Sequence, residues 1–440
     1  MQKIRVFETF AGIGAQHKAL EILKINKKID YEIVAISEWD IWSNISYNAI
    51  HYDNKNIANG LTDDVMNDLF DKFTLSNDGK TPYDKDCVKR LPRSTRELLY
   101  SSILNTNNLG SITEISGSSL IKKSGDIDLI TYSFPCQDLS TAGSFHGYGK
   151  GMARGSGTRS GLLWEIERIL IDLKNEQKLP KYLFLENVKA MLSQKNKGDF
   201  IEWLSFLQSI GYNTQTYIMD SSKYGSAQSR QRVYALSVLD GGDEFIDTFK
   251  NSGQIVELNI PKDVSKEFNI KKNMTEVLNL NYVNDVNSES YKYTNEAIEA
   301  TPNRTPSRKR MFENNYLLFS KESVEIDKRS KSNHINYTKK NDGFYLPRCR
   351  TITTKQDRHP NAGVVDLRGT ILQNQQNKAK YRFLTTRETI VLMGFENCDY
   401  EKMVSNKEVK KEKLYKQAGN SIVVNVLVSL IHHLINIGEK

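Results

Sequence analysis

The chain opens on short apolar runs separated by a glycine turn and a stretch of helical spacing. Ile4, Val6 and Phe7 lead into Ala11-Gly12-Ile13-Gly14. His17 to Leu23 then places apolar residues one helical turn apart, and Ile33-Val34-Ala35-Ile36 is a four-residue apolar run. This pattern predicts strand, turn, helix and buried strand. Further apolar runs at Asp128 to Tyr132, Tyr182 to Leu185 and Val233 to Val238 predict strands, with helices over Leu162 to Leu173 and Phe200 to Ile210. Strands alternating with helices over the first 240 residues predict an α/β fold on a doubly wound, mostly parallel sheet.

The pattern breaks twice. Residues 54–107 are polar and weakly periodic, which predicts an insertion with some helix near Arg96 to Leu104. Past Asp240-Gly241-Gly242 the chain becomes rich in Asn, Lys and Ser and loses its βα alternation. Thr351 to Thr354 is β-prone, so a smaller domain of irregular β structure and loops is expected over 241–375. Helical spacing returns after Arg382, and Ile422 to Ile437 is strongly apolar. The expected organisation is a discontinuous domain, 1–240 plus 376–440, interrupted by 241–375, with no internal repeat.

Composition narrows the function classes. At 38% hydrophobic and 10% aromatic, the chain reads as globular. No run approaches the roughly 18 unbroken apolar residues of a membrane span, and no signal-peptide pattern opens the sequence, so a cytoplasmic protein without a membrane partner is expected. Cys87, Cys136, Cys349 and Cys398 are widely spaced, which speaks against a disulfide framework and against a metal site. The net charge of +8 is localised: residues 301–360 hold 14 Lys/Arg against 6 Asp/Glu, and the remainder is balanced. A basic excess confined to one segment suits a protein that grips phosphates along one face, although a solvated basic loop has the same composition.

Four constellations carry candidate chemistry. The turn Phe10-Ala11-Gly12-Ile13-Gly14 suits close approach of a nucleotide-like cofactor, or simply a tight turn. The second strand ends in Glu38-Trp39, a carboxylate able to bind ribose hydroxyls beside a ring able to stack on adenine. The third glycine of a dinucleotide fingerprint is missing, which favours an adenosine without phosphates. Ser133-Phe134-Pro135-Cys136-Gln137 places a thiol just past a central strand, where open α/β sheets bind ligands. Leu185-Glu186-Asn187-Val188 and Gln228-Ser229-Arg230-Gln231-Arg232 add a carboxylate and two guanidinium groups at further strand ends. Taken singly, each admits a structural reading.

In this order the constellations resemble the DNA cytosine-5 methyltransferases of bacterial restriction-modification systems. Gly157 to Glu165, Arg382 to Glu388 with Met393-Gly394-Phe395, and Gly419-Asn420-Ser421 extend the resemblance to both ends of the chain. It implies that Cys136 is the nucleophile, adding as thiolate to carbon 6 of a cytosine flipped out of the duplex. Glu186 would hold N3 and the exocyclic amine, Arg232 would donate to O2, and Arg230 would assist electrostatically. Phe10, Gly12, Gly14, Glu38, Trp39, Asn420 and Ser421 correspond to S-adenosyl-methionine positions. Gly110-Ser111-Ile112 stands where the family has Gly-Asp-Ile; either Ser111 makes a weaker, neutral contact to adenine or the correspondence lies elsewhere. Ala227 replaces a frequent proline in a turn. The loop Pro135 to Gly151 reads as a lid, with Ser140 near the target phosphate.

By the same resemblance, 241–375 is the target-recognition domain on double-stranded DNA. Arg348 to Asn361 is the expected readout stretch, with Gln228, Arg348, Arg350, Thr351, Lys355, Gln356 and Arg358 contacting DNA. A monomer working beside a cognate restriction endonuclease is expected. The rival readings are a transfer-RNA cytosine methyltransferase, a nicotinamide oxidoreductase and a catalytically idle DNA-binding module.

Overall fold

A computed structural model describes residues 3–139, 151–241, 264–321 and 337–438. The chain packs as two compact units: 1–220, 231–264 and 426–440 form one, and 221–230 with 265–425 form the other. Residues 376–425, expected with the first domain from sequence, therefore pack with the second unit.

The first unit is built on strands β1 (Lys3–Thr9), β2 (Asp30–Ser37), β3 (Leu129–Tyr132), β4 (Tyr182–Val188), β5 (Tyr212–Asp220) and β6 (Gln231–Leu239), in the spatial order β2-β1-β3-β4-β6-β5. The first four are mutually parallel, while β6 runs antiparallel to both β4 and β5. The sheet is thus α/β and mostly parallel, as the alternation predicts. The reversal of strand order beside β1 is the switch point at which such sheets bind ligands. Phe7, Ile130, Leu183 and Val233 from the sheet pack with Leu170 and Trp203 of the helices Leu163–Asn175 and Lys197–Ser209. Burial of each such side chain stabilises the fold by roughly 1.5–3 kcal/mol before chain entropy is counted.

β5 escapes the sequence pattern. Its run Asn213-Thr214-Gln215-Thr216 is polar, and it stays in the sheet through the full register with β6 and a Thr214–Ser237 hydroxyl pair at 2.8 Å. The insertion 54–107 is more helical than its composition suggests. Thr62 caps Asp63–Phe70, Asp84 caps Lys85–Lys89, and Arg93–Asn105 forms a third helix. The apolar C-terminal stretch is the helix Val424–Gly438, with Val426, Leu427, Leu430, Ile431 and Leu434 buried. An 18-residue stretch within Lys411–Asn436 is apolar enough to cross a membrane, but 83% of that stretch is buried in protein. His433 lies edge-on to Tyr217 of β5, so the end of this helix packs against the first unit's sheet.

The second unit holds a smaller sheet of β7 (Leu317–Ser320), β8 (Thr338–Lys340), β9 (Gly343–Tyr345), β10 (Val364–Asp366) and β11 (Tyr381–Arg382), ordered β11-β10-β7-β9-β8. Leu317, Val364, Tyr381 and Phe383 form its core. Two corrections follow. Tyr291–Ala300 and Pro306–Asn314 are helices where irregular β structure was expected, and Thr351 to Thr354 joins no strand.

Candidate active site

The register Thr9↔Tyr132 and Tyr132↔Leu185 sets the last residues of β1 and β3 level with Leu185 of β4. The glycine turn follows Thr9, the Cys136 loop follows Tyr132 and Glu186 follows Leu185 within β4, so three distant sequence segments share one sheet edge.

Cys136 is half-buried and in no disulfide. Its loop is held from three sides. Asn187 Nδ2 donates to the Phe134 carbonyl at 3.1 Å, and Ser160 Oγ donates to the Pro135 carbonyl at 2.7 Å. The Arg159 guanidinium bonds the Gln137 side chain. Gly157 to Glu165 thus serves the thiol loop, and Asn187 couples that loop to the strand carrying Glu186. None of these positioning roles was read from sequence, although Asn187, Ser160 and Arg159 lie inside recognised motifs. Ser140 and the central part of the lid expected over Pro135 to Gly151 lie outside the described residues.

Glu186 is buried, and Arg232 Nε lies 3.2 Å from its Oε1. Glu186 pairs with Tyr234 and Val188 with Arg232 across β4 and β6, which places the carboxylate and guanidinium one diagonal apart. Such a pair presents donors and an acceptor on one side, the pattern needed to hold a polar ring edge.

At the end of β1, Phe10 takes a left-handed φ of 52°, which for an aromatic residue costs on the order of 1–2 kcal/mol and marks a constrained turn. Gly12 has φ 57°, and a Cβ there would meet nothing nearer than the Phe10 oxygen at 4.0 Å. Its N–H donates to Glu38 Oε2 at 2.9 Å, and Asp40 N–H donates to Oε1 at 2.7 Å. Trp39 is half-buried beside them. Open space over a glycine, a fixed carboxylate and an aromatic face suit an adenosine-type ligand. Gly14 has a different role, since a side chain there would collide with the His51 and Tyr47 rings.

Two asparagines and a serine complete this corner. Ser111 turns its hydroxyl to Thr113 at 2.8 Å. Asn108, missed in sequence, accepts from Glu38 N–H and Gly110 N–H and donates to the Glu38 carbonyl and Asn44. The 54–107 insertion supports the same corner, because Ser76 N–H donates to the Trp39 carbonyl and accepts Ile41 N–H at its own carbonyl.

Behind the glycine turn lies a buried titratable cluster. The Tyr47 hydroxyl sits 2.8 Å from Glu8 Oε2 and 2.9 Å from His17 Nδ1, and His17 stacks on His51. Burial raises the Glu8 carboxyl to about 8, against the lowering effect of its hydrogen bonds. Burial also lowers His17 to about 3 and takes His51 well below the ordinary range.

In the second unit, several expected contacts take other roles. Arg230 donates to the carbonyls of Ile352, Gly419 and Ser421 at 3.0 Å each, which makes it a clamp on two chain segments. Gln228 is fully buried, accepting from Ile352 N–H and donating to the Leu392 carbonyl, and Gln356 is fully buried too; neither can reach DNA as placed. Thr351 donates to the Ser229 carbonyl. Arg348, Arg350, Lys355 and Arg358 are exposed, with Arg348 on Ser222 and Arg358 beside Asp357. Asn420 is exposed, and Ser421 is buried with its N–H on the Gln417 carbonyl. A cofactor role for these two rests on the motif resemblance alone. Among the described residues no cluster of His, Cys, Asp or Glu could hold a metal ion.

Residues 94–436 match the family of C-5 cytosine-specific DNA methylases. An orphan methyltransferase of Spiroplasma monobiae, M.SssI, is 33% identical across 98% of this chain and 97% of its own. The type II methyltransferase M2.ScrFI of Lactococcus lactis subsp. cremoris is 34% identical across 98% and 99%. Among solved structures, the Dnmt2 methyltransferase of S. pombe aligns at a TM-score of 0.53 and 19% identity over 99% of both chains. A Spodoptera frugiperda DNMT2 variant aligns at 0.57 and 17% identity over 98% and 99%; both agree in fold. The family match, two full-length relatives above 30% identity and the thiol, carboxylate and guanidinium at one sheet edge lead to one conclusion: this chain belongs to the C-5 cytosine-specific DNA methylases and is a DNA (cytosine-5) methyltransferase.

Proposed function

We propose that the chain is a sequence-specific DNA methyltransferase that acts on a cytosine flipped out of the duplex, with Cys136 as nucleophile. The observation that carries this reading is the Glu186–Arg232 pair at the end of β4, coupled through Asn187 to the Cys136 loop. Carbon 5 of cytosine is a poor nucleophile until carbon 6 is attacked. The Cys136 thiolate adds at carbon 6, and Glu186 holds N3 and the exocyclic amine, so that charge entering the ring is met by a proton. Arg232 donates to O2 as negative charge grows there. Loss of the carbon 5 proton, to water, then lets the thiolate leave. Phe10, Gly12, Glu38 and Trp39 would hold S-adenosyl-methionine, which supplies the electrophilic methyl group.

In this reading 1–240 and 376–440 carry catalysis and 241–375 carries recognition. The enzyme works as a cytoplasmic monomer on double-stranded DNA. It serves as the modification partner of a restriction endonuclease, in keeping with the type II name of one relative.

The decisive experiment pairs Cys136→Ala with duplex DNA and transfer RNA as substrates. Methyl transfer to DNA should disappear in the variant while DNA binding persists. Full activity without the thiol, or methylation of RNA alone by the wild type, would falsify this mechanism.

A further inference from the structure

The second unit spends most of its buried or half-buried arginines on itself. Arg382 is bidentate to Glu388, Arg387 to Glu296 and Arg368 to Asp366, and Arg230 holds three carbonyls. Arg350 differs. Its guanidinium carbon lies over the Tyr316 ring, 3.6 Å from the centroid, and none of its side-chain donors meets a protein acceptor among the described residues. The residue is nevertheless exposed. A ring covering one face while every N–H stays unspent orients the fork without consuming it.

The backbone under this stack is fixed as well. Arg350 N–H donates to the Ala362 carbonyl at 3.3 Å, and Val364 N–H donates to the Tyr316 carbonyl at 2.9 Å, next to the parallel pairing of β10 with β7. Gly363, at φ +123°, lets the chains approach, since a Cβ there would come within 3.0 Å of the Tyr316 oxygen. Tyr316 and Arg350 therefore sit on two segments locked by main-chain bonds rather than on one loop.

We propose that Arg350 reads the O6 and N7 edge of one guanine in the recognition sequence, and that Tyr316 is the positioning residue that presents it. A planar fork with adjacent donors matches those two acceptors, the commonest sequence-specific contact an arginine makes in the major groove. This rests on the reading of 241–375 as the recognition domain.

The test expresses wild type, Arg350→Ala, Arg350→Lys, Tyr316→Ala and Tyr316→Phe in a bacterium lacking cytosine methylation, then maps modified cytosines in its genomic DNA. Wild type and Tyr316→Phe should modify one motif containing an invariant guanine. Arg350→Ala, Arg350→Lys and Tyr316→Ala should lose the requirement at that single position, with discrimination falling on the order of tenfold to a hundredfold. Arg350→Lys keeps charge and bulk, so it reports on readout even if the alanine variant folds poorly. An unchanged motif with uniformly weaker modification in all Arg350 variants makes the residue a phosphate contact and overturns the proposal. Wild-type modification without any shared motif removes the recognition reading itself.

Discussion

Glu186 and Asn187 are neighbours on β4 whose effects should separate in kinetics. Glu186→Gln keeps the shape but not the proton, so kcat should fall on the order of a hundredfold or more, with the melting temperature little changed. Asn187→Ala removes the bond to the Phe134 carbonyl, costing about 1 kcal/mol of stability. Its larger effect should be on rate, because a thiol displaced by about 1 Å can lose on the order of a hundredfold. Steady-state kinetics beside thermal melts would check both; an Asn187→Ala enzyme with wild-type kcat would show the loop to be held without it. At this scale the positions of Cys136, Glu186 and Arg232 beside strands were legible, because each stands next to an apolar run. The burial of Gln228 and Gln356 was not legible, because a polar residue type carries no information about whether its partners are solvent, nucleic acid or buried carbonyls.

Elements show the same division. Helical spacing returns after Arg382, and there the capping box Thr385-x-x-Glu388 starts the helix Thr386–Leu392. That Glu388 also takes a bidentate Arg382 with both side chains fully buried is a tertiary fact. Glu388→Ala should cost about 3–5 kcal/mol, since it strands a buried guanidinium, and urea unfolding would measure the loss. The element at the end of β1 predicts a pH dependence. Glu8 is protonated in the folded state up to about pH 8 but ionises near 4.5 when unfolded, so its contribution to stability is complete below 4.5 and is lost as pH rises through 8. The neutral His17 works oppositely, its contribution being lost as pH falls from 6.5 toward 3. Between pH 7 and 8 the Glu8 effect dominates, and stability should fall by about 1 kcal/mol. Glu8→Gln should flatten that slope in denaturant titrations at the two pH values. β5 and the insertion's short helices were illegible because sheet pairing and side-chain caps, rather than apolar period, hold them.

For the molecule as a whole, the basic excess in 301–360 predicts DNA affinity that falls steeply with salt. Neutralising Lys355 or Arg358 should lower the slope of log affinity against log salt by about 1 each, without altering the methylated motif; fluorescence anisotropy across a salt series would show it. An unchanged slope would place those side chains away from phosphate. What the sequence determined by itself was the α/β class, the order of the chemistry-bearing segments and the clustering of positive charge. All three depend on residue type and spacing along the chain. Only the tertiary structure decided which side chains the reaction and the DNA can use. Parallel pairing levels Thr9, Tyr132 and Leu185 at one edge, and burial removes Gln228 and Gln356 from any surface. An aromatic ring from another segment supports the Arg350 guanidinium. Each of these outcomes depends on contacts between segments far apart in sequence, where local pattern has no reach.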